Sequence, residues 1–223
     1  MNLDIPNIYI TKGTTVDYKT IYDAIKQKDF SLLPDYLQAC AEEAYQIQMH
    51  TGDGQMCDII IDQAALDTIY RKGKESGIDM LSDYVELKVV AANINIAIRG
   101  MRTGKDRAFY ERAFVTSETL NKGELIRSVT DSEEELYKYL NTTEYADAVQ
   151  AIKLSPSMFE RWCDNLIINR IKPQKHNTFT LSPIAAYILA RENEIKTVRI
   201  ILLGKLNEIS DGLIRERLRD MYV

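Results

Sequence analysis

Apolar residues recur along the chain at steps of three and four, the spacing that places side chains on one face of an α-helix. Three stripes show it clearly: Leu33, Leu37, Cys40, Ala44 and Ile47; Leu87, Val90, Ile94, Ile98 and Met101; and Ile195, Val198, Leu202, Leu206 and Ile209. Two shorter stripes are Phe159, Trp162, Cys163 and Leu166, and Ile214, Leu218 and Met221. We therefore expect an amphipathic helix over each stripe.

Short local signals mark helix starts and connections. Ser155-Pro156 and Ser182-Pro183 each combine a hydroxyl that can cap a helix with a proline suited to the first helical position. The segment Lys172–Asn177 is the most loop-like part of the chain. These signals predict helices separated by short connections.

Evidence for β-strands is weak. Asp58–Asp62 has the composition of a short buried strand, but Ile61, Ala65 and Ile69 around it keep helical spacing, so we interpret it as helix. Ile8–Ile10 is expected to be extended or irregular. The pattern as a whole predicts an all-α protein.

Two parts of the chain resemble each other at a nearly constant distance. At an offset of 104 residues the matched pairs include Ile94 and Val198, Gly100 and Gly204, and Tyr110 and Ile214. An upstream block aligns at an offset of 102 residues and pairs Asp62 with Asp164 and Ile69 with Ile171. We therefore predict two pseudo-symmetric copies of one helical bundle of about 100 residues, longer than the repeats of roughly 20–50 residues that build solenoids.

The composition is that of an ordinary soluble globular protein. The 223 residues carry 28 Lys and Arg and 33 Asp and Glu, and the net charge of −5 argues against a dedicated nucleic-acid binder. Three scattered cysteines without a CxxC pair argue against a disulfide framework or zinc knuckle and fit a reducing cytosol. The N-terminus lacks a signal-peptide pattern, and no apolar stretch approaches the ~20 residues of a membrane helix.

No group of residues in the sequence supports catalysis or the binding of a metal or cofactor. His50 and His176 lack other ligands at metal-binding spacing. Cys163 lies on an apolar helix face, as expected for a packed thiol rather than a nucleophile. Gly100–Lys105 lacks the spacing of a P-loop and follows a helix rather than a strand. We therefore expect a protein without catalytic residues.

One basic cluster is a candidate binding site. It consists of Arg99, Arg102, Lys105 and Arg107. Two interpretations are open: a solvated helix end, or a surface that attracts an acidic protein partner through charge steering. We take the cluster as the predicted partner-binding site.

Several blocks, taken in order, give the chain a family resemblance. Ser182–Val223, which contains ENEIKTVRIILLGKL, looks like the C-terminal signature of the C subunit of V-type (A/V-type) rotary ATPases, the counterpart of the eukaryotic d subunit. Thr51–Gly77 and Glu86–Lys105 resemble the middle of that family, and Phe159–Lys172 resembles the opening of its third repeat. These blocks cover most of residues 30–223.

The resemblance implies an all-helical funnel of three similar units around a pseudo-threefold axis. In that family the narrow side sits on the membrane proteolipid ring, and the hollow receives the rotor shaft formed by the D and F subunits. The chain would then be a non-catalytic coupler between ATP-driven shaft rotation and ion transport, bound peripherally on the cytoplasmic side of the membrane. Transport of protons or sodium ions, and synthesis or hydrolysis of ATP, all fit this role.

The chain shows two of the three units that the resemblance implies. We expect one unit at residues 1–115, with the exit of a missing N-terminal unit at residues 1–30, and the other at residues 116–223. Because two units cannot close a threefold socket, we do not expect this chain alone to bind the shaft strongly.

Two other functions are compatible with the residues. One is a helical scaffold or regulatory protein unrelated to rotary ATPases, which would have no affinity for a proteolipid ring or a D–F shaft. The other is an enzyme with perturbed carboxylates in a deep pocket around Asp62 or Asp164. Solvation of those two aspartates on helix surfaces would argue against the enzyme.

Overall fold

The computed structural model describes residues 14–222 and folds them into helices joined by short connections. In chain order the helices are α1 (Tyr18–Gln27), α2 (Asp35–Thr51), α3 (Gly54–Glu75), α4 (Asp79–Arg102), α5 (Arg107–Ala113), α6 (Lys122–Asp131), α7 (Glu133–Asn141), α8 (Asp147–Leu154), α9 (Pro156–Ile171), α10 (Ser182–Leu206) and α11 (Asp211–Glu216). Residues 14–222 contain no strand, so the predicted all-α class is confirmed there, and Asp58–Asp62 is helical within α3. The predicted irregular segment Ile8–Ile10 lies outside the described residues.

The chain divides into two compact units, with the boundary between Thr68 and Ile69 inside α3. The first unit has two small cores that share α2. Their buried members are Ala24, Phe30 and Leu33 in one, and Cys40, Ala44 and Ile60 in the other. The stripe predicted on α2 therefore supplies apolar contacts to both cores.

The second unit has a larger core built around α4. The buried side chains that α4 contributes to it are Leu87, Val90, Ile94 and Ala97. Three fully buried aromatic side chains from later segments fill the same core: Tyr110, Phe114 and Tyr145. Trp162 packs against this core and stacks on Phe159, with ring centroids 5.8 Å apart. The stripes predicted on α4 and α9 thus face the core.

The two predicted serine caps have different outcomes. At the start of α9 the Ser155 hydroxyl accepts a hydrogen bond from the N–H of Met158 at 3.1 Å, as predicted. Ser182 is instead the first residue inside α10, and its N–H donates to the hydroxyl of Thr180 at 3.2 Å. The predicted capping role of Ser182 is therefore wrong.

Two further segments differ from the prediction. Lys172–Asn177, expected to be a loop, forms a 3₁₀ turn over Lys172–His176. α11 ends at Glu216, so Leu218 and Met221 lie beyond the helix rather than on its face. Helix ends are the least certain part of any pattern-based prediction, because apolar spacing carries no stop signal.

The ends of α4 and α10 have the same cap, 104 residues apart. In α4 the N–H of Lys105 donates to the carbonyl oxygen of Gly100 at 2.9 Å, and in α10 the N–H of Ile209 donates to that of Gly204 at 2.9 Å. Each bond closes over a residue in the left-handed conformation, and these residues are Gly104 (φ 65°) and Glu208 (φ 57°). This pattern is the Schellman motif.

A close helix contact follows each of the two caps. Tyr110 of α5 lies directly against Gly100, and Ile214 of α11 lies directly against Gly204. Any side chain at either glycine would occupy the space that the next helix uses. These local features agree with the predicted repeat, while the arrangement of two pseudo-symmetric bundles as a whole stays a prediction.

The stripe predicted on α10 does not face a core. The buried side of α10 is formed by small and polar residues, which are Ser182, Ala186, Ala190, Asn193, Thr197 and Gly204. Val198 and Leu202, in contrast, are exposed. The spacing thus predicted the helix correctly but not which of its faces is covered.

Candidate partner-binding surface

The end of α4 places two of the four predicted cations in one cavity. Arg99 and Arg102 lie in the last turn of α4 and line a cavity of about 320 Å³. The remaining lining comes partly from α8 and α9 and includes the apolar Pro156 and Phe159 and the carboxylate of Glu160. The cavity therefore combines positive charge with an apolar wall.

The other two predicted cations have local partners. Lys105 lies over the ring of Phe109, with Nζ 5.4 Å from the ring centroid. Arg107 Nε donates to Glu111 Oε1 at 2.7 Å within α5, and Arg107 also lines a separate groove of about 710 Å³ that α6 and α7 help to form. The structure therefore brings Arg99 and Arg102 together and directs Arg107 elsewhere.

Arg99 and Arg102 are exposed cations at the end of α4. Neither guanidinium forms an ion pair with any residue of the described chain. Burial and a hydrogen bond to Glu133 raise the pKa of Tyr137 to about 12, although the positive charge of Arg102 acts to lower it. Two exposed cations without an ion pair, beside a cavity with an apolar wall, suit an acidic partner surface, and their role as a binding site stays a prediction.

Glu86 is a buried carboxylate that the apolar pattern did not single out. Its Oε1 accepts the backbone N–H groups of Glu118 and Thr119, both at 2.9 Å, and the Thr119 hydroxyl at 2.7 Å. Its Oε2 accepts the Tyr70 hydroxyl at 2.9 Å and lies 3.5 Å from Lys74 Nζ. These bonds attach the connection between α5 and α6 to α4 and to the end of α3.

The Glu86 carboxylate is held in its charged form. Burial by itself would raise its pKa, but hydrogen bonds from Thr119 and Tyr70 and the charge of Lys74 outweigh burial and lower the pKa below its ordinary value. With both oxygens occupied, Glu86 is structural rather than catalytic. A sequence signal existed, since Glu86 and Asn93 lie at helical spacing on the same face as the buried Val90.

The two aspartates considered as an acid–base pair have other surroundings. Asp62 is exposed on α3. Asp164 Oδ1 accepts Lys196 Nζ of α10 at 2.8 Å, and its Oδ2 accepts Arg219 Nε at 2.9 Å. Both oxygens of Asp164 thus hold neighbouring segments on α9, and the arrangement does not support acid–base catalysis.

The remaining candidate reactive groups are the Cys163 thiol and two histidines. Burial raises the pKa of the Cys163 thiol to about 12, so the thiol stays protonated at neutral pH. His50 and His176 are exposed. Among residues 14–222, no three His, Cys, Asp or Glu side chains are grouped so that they could hold a metal ion. None of the helices in that range is both long and apolar enough to pass through a membrane.

Comparisons with known proteins point to one family. Residues 2–217 match the family described as ATP synthase (C/AC39) subunit. The C subunit of the V-type sodium ATPase of Enterococcus hirae is 24% identical in an alignment 225 residues long that covers 99% of this chain and 68% of that protein. The C subunit of the A-type ATP synthase of Haloquadratum walsbyi is 24% identical over 164 residues, which cover 72% of this chain and 44% of that protein. No solved structure matches the chain significantly.

Proposed function

The chain belongs to the ATP synthase (C/AC39) subunit family, and on this basis we propose that it is the rotor adaptor of a V-type or A-type ATPase. In this role it connects the shaft formed by the D and F subunits to the membrane proteolipid ring, and so couples ATP turnover to the transport of protons or sodium ions. It contributes no catalytic residue and needs no cofactor. It binds peripherally, on the cytoplasmic face of the membrane.

The family match over residues 2–217 is the observation that carries the proposal. Both relatives are named as C subunits, one of a sodium ATPase and the other of an ATP synthase. The packed helices within each unit suit a mechanical coupler, because close-packed protein interiors have low compressibility and transmit strain. The unpaired Arg99 and Arg102 add a charged surface for a partner.

The proposal includes a division into two helical units, at residues 1–115 and 116–223. The equivalent caps at Gly100 and Gly204, and the matching contacts with Tyr110 and Ile214, support a repeated helical unit, although the two compact units of the structure are divided elsewhere, between Thr68 and Ile69. The chain spans 68% of the length of the Enterococcus hirae relative, which leaves room in that protein for a further unit.

Charge reversal at Arg99 and Arg102 tests the partner surface. We expect the purified chain to bind a detergent-solubilised proteolipid ring, and a D–F shaft at most weakly, and the R99E/R102E variant to bind its partner at least about tenfold more weakly. The reason is that two exposed cations would face acidic groups across the interface and would repel them after reversal. Dissociation constants from biolayer interferometry at low and high salt measure the effect.

A matched control carries the same change of charge elsewhere. Lys88 is exposed on α4 and Lys175 is exposed in the 3₁₀ turn, so the K88E/K175E variant should bind as the wild-type chain does. Equal weakening by both double variants would indicate a non-specific effect of net charge and contradict the Arg99–Arg102 surface. Absence of binding to both ring and shaft by the wild-type chain would contradict the adaptor role and favour an unrelated scaffold.

A further inference from the structure

The apolar stripe of α10 is uncovered, although its counterpart on α4 is buried. Ile94 of α4 is 0% exposed, whereas Val198, its equivalent 104 residues later, is 53% exposed. Met80 and its equivalent Ile184 differ in the same way. Contiguous exposed apolar side chains of this kind mark an interaction surface.

A second uncovered stripe lies on α3, and its counterpart on α9 is buried. The two helices begin 102 residues apart, at Gly54 and Pro156. Ile69 of α3 is 45% exposed, whereas its equivalent Ile171 of α9 is 0% exposed. Ile61, two turns earlier on α3, is exposed as well. The chain therefore has two uncovered faces, and each has a covered equivalent.

The buried faces of α4 and α9, which are the equivalents of the two uncovered faces, pack against each other. Met80 of α4 shares a buried cluster with Ile168 and Ile171 of α9. Ile94 of α4 shares the main core with Phe159 of α9. The contact of α9 with α4 is thus an observed interface. The uncovered face of α3 is equivalent to the α9 side of this interface, and the uncovered face of α10 is equivalent to the α4 side.

One pair of exposed charges on α3 and α10 is opposite in sign. Asn95 of α4 and Glu160 of α9 line the same cavity. Their equivalents at the two offsets are Arg199 of α10 and Asp58 of α3, which are both exposed. Within residues 14–222 neither Arg199 nor Asp58 forms an ion pair. If α3 packed on α10 as α9 packs on α4, Asp58 and Arg199 would line the same cavity with opposite charges.

We propose that this chain binds a second copy of itself head to tail, with α3 of one copy packed on α10 of the next. Each copy supplies both sides of the contact, and the apolar stripes of α3 and α10 cover each other. The contact joins two different surfaces, so it can extend beyond a dimer or close into a ring, depending on the rotation between copies. The proposal does not rest on the rotor role.

A charge exchange tests the contact. In sedimentation velocity over a concentration series, the wild-type chain should grow from monomer to dimer or larger species. R199E and D58R should each weaken this association on the order of tenfold, and the D58R/R199E double variant should restore it. L202D should weaken association independently of charge pairing, because it places a carboxylate in the apolar stripe. K175E, with an exposed charge outside both faces, should leave association unchanged.

Each possible result supports or overturns the self-association. A chain that stays monomeric at all concentrations overturns it. Association that neither single reversal weakens, or that the double variant does not restore, also overturns it. If the chain is monomeric and a proteolipid ring or D–F shaft shields the α10 face from proteolysis, the face belongs to that partner. The measurement uses the purified chain alone, so its failure is distinguishable from failure to bind a shaft or ring.

Discussion

Replacing Glu86 by alanine is expected to lower the free energy of unfolding of the second unit by about 3–5 kcal/mol. The change removes the acceptor of two backbone N–H groups and of the Tyr70 and Thr119 hydroxyls, and takes from Lys74 one of its two carboxylate partners. Each buried donor left without an acceptor costs about 1–3 kcal/mol. Since Glu86 is only 5% exposed, water has little access to replace it.

Urea unfolding followed by the fluorescence of Trp162 measures this loss. Trp162 is the one tryptophan of the chain and packs against the core that α4 shares. Glu118→Ala is the matched control, because its carboxylate also pairs with Lys74, at 2.8 Å, but is exposed. The control should change stability by no more than about 1 kcal/mol. Equal losses in the two variants would contradict the central role of Glu86.

The contribution of Glu86 should also depend on pH. Its pKa is lowered in the folded state, so the unfolded chain binds the proton more readily in acid. The stabilisation is fully present above the ordinary glutamate pKa of about 4.3 and is lost as the pH falls through the lower folded value. In that acidic range the wild-type chain should lose stability more steeply than Glu86→Gln.

Helices could be predicted from the sequence more completely than the surroundings of their faces. Steps of three and four residues located α2, α4, α9 and α10 because this periodicity is a local property of the chain. The same spacing gives a buried Ile94 on α4 and an exposed Val198 on α10. Burial is decided by which distant segment packs on the helix, and local spacing does not contain that information.

The candidate site was predictable in part for the same reason. The sequence places four cations between Arg99 and Arg107, but the turn from α4 into α5 separates Arg107 from the cavity that Arg99 and Arg102 line. Glu86 was missed because its partners at Glu118 and Thr119 are more than thirty residues away. A carboxylate on a buried helix face is visible in the sequence, whereas the groups that satisfy it are not.

Valine at Gly100 or at Gly204 is expected to destabilise the second unit by about 1–3 kcal/mol. A Cβ at Gly100 would lie 2.6 Å from Cε1 of Tyr110, and a Cβ at Gly204 would lie 2.7 Å from Cγ1 of Ile214. Carbon atoms in favourable contact are about 3.5–4.0 Å apart. Tyr110 and Ile214 are both buried, so neither can move aside without displacing its neighbours. The larger loss is expected at Gly100, because Tyr110 lies in the main core.

A glycine with open space around it gives the control for these two variants. A Cβ at Gly212 of α11 would meet no atom within 4 Å, and its φ lies outside the left-handed region. Gly212→Ala should therefore be neutral or stabilising by up to about 1 kcal/mol, the difference in helix propensity between the two residues. Urea unfolding monitored by Trp162 fluorescence compares the three variants. We expect a loss of stability at both Gly100 and Gly204, and none at Gly212, because the two helix ends are built alike. A loss at only one of the two glycines would show that the other contact does not have the same structural role. That result would argue against the predicted repeat.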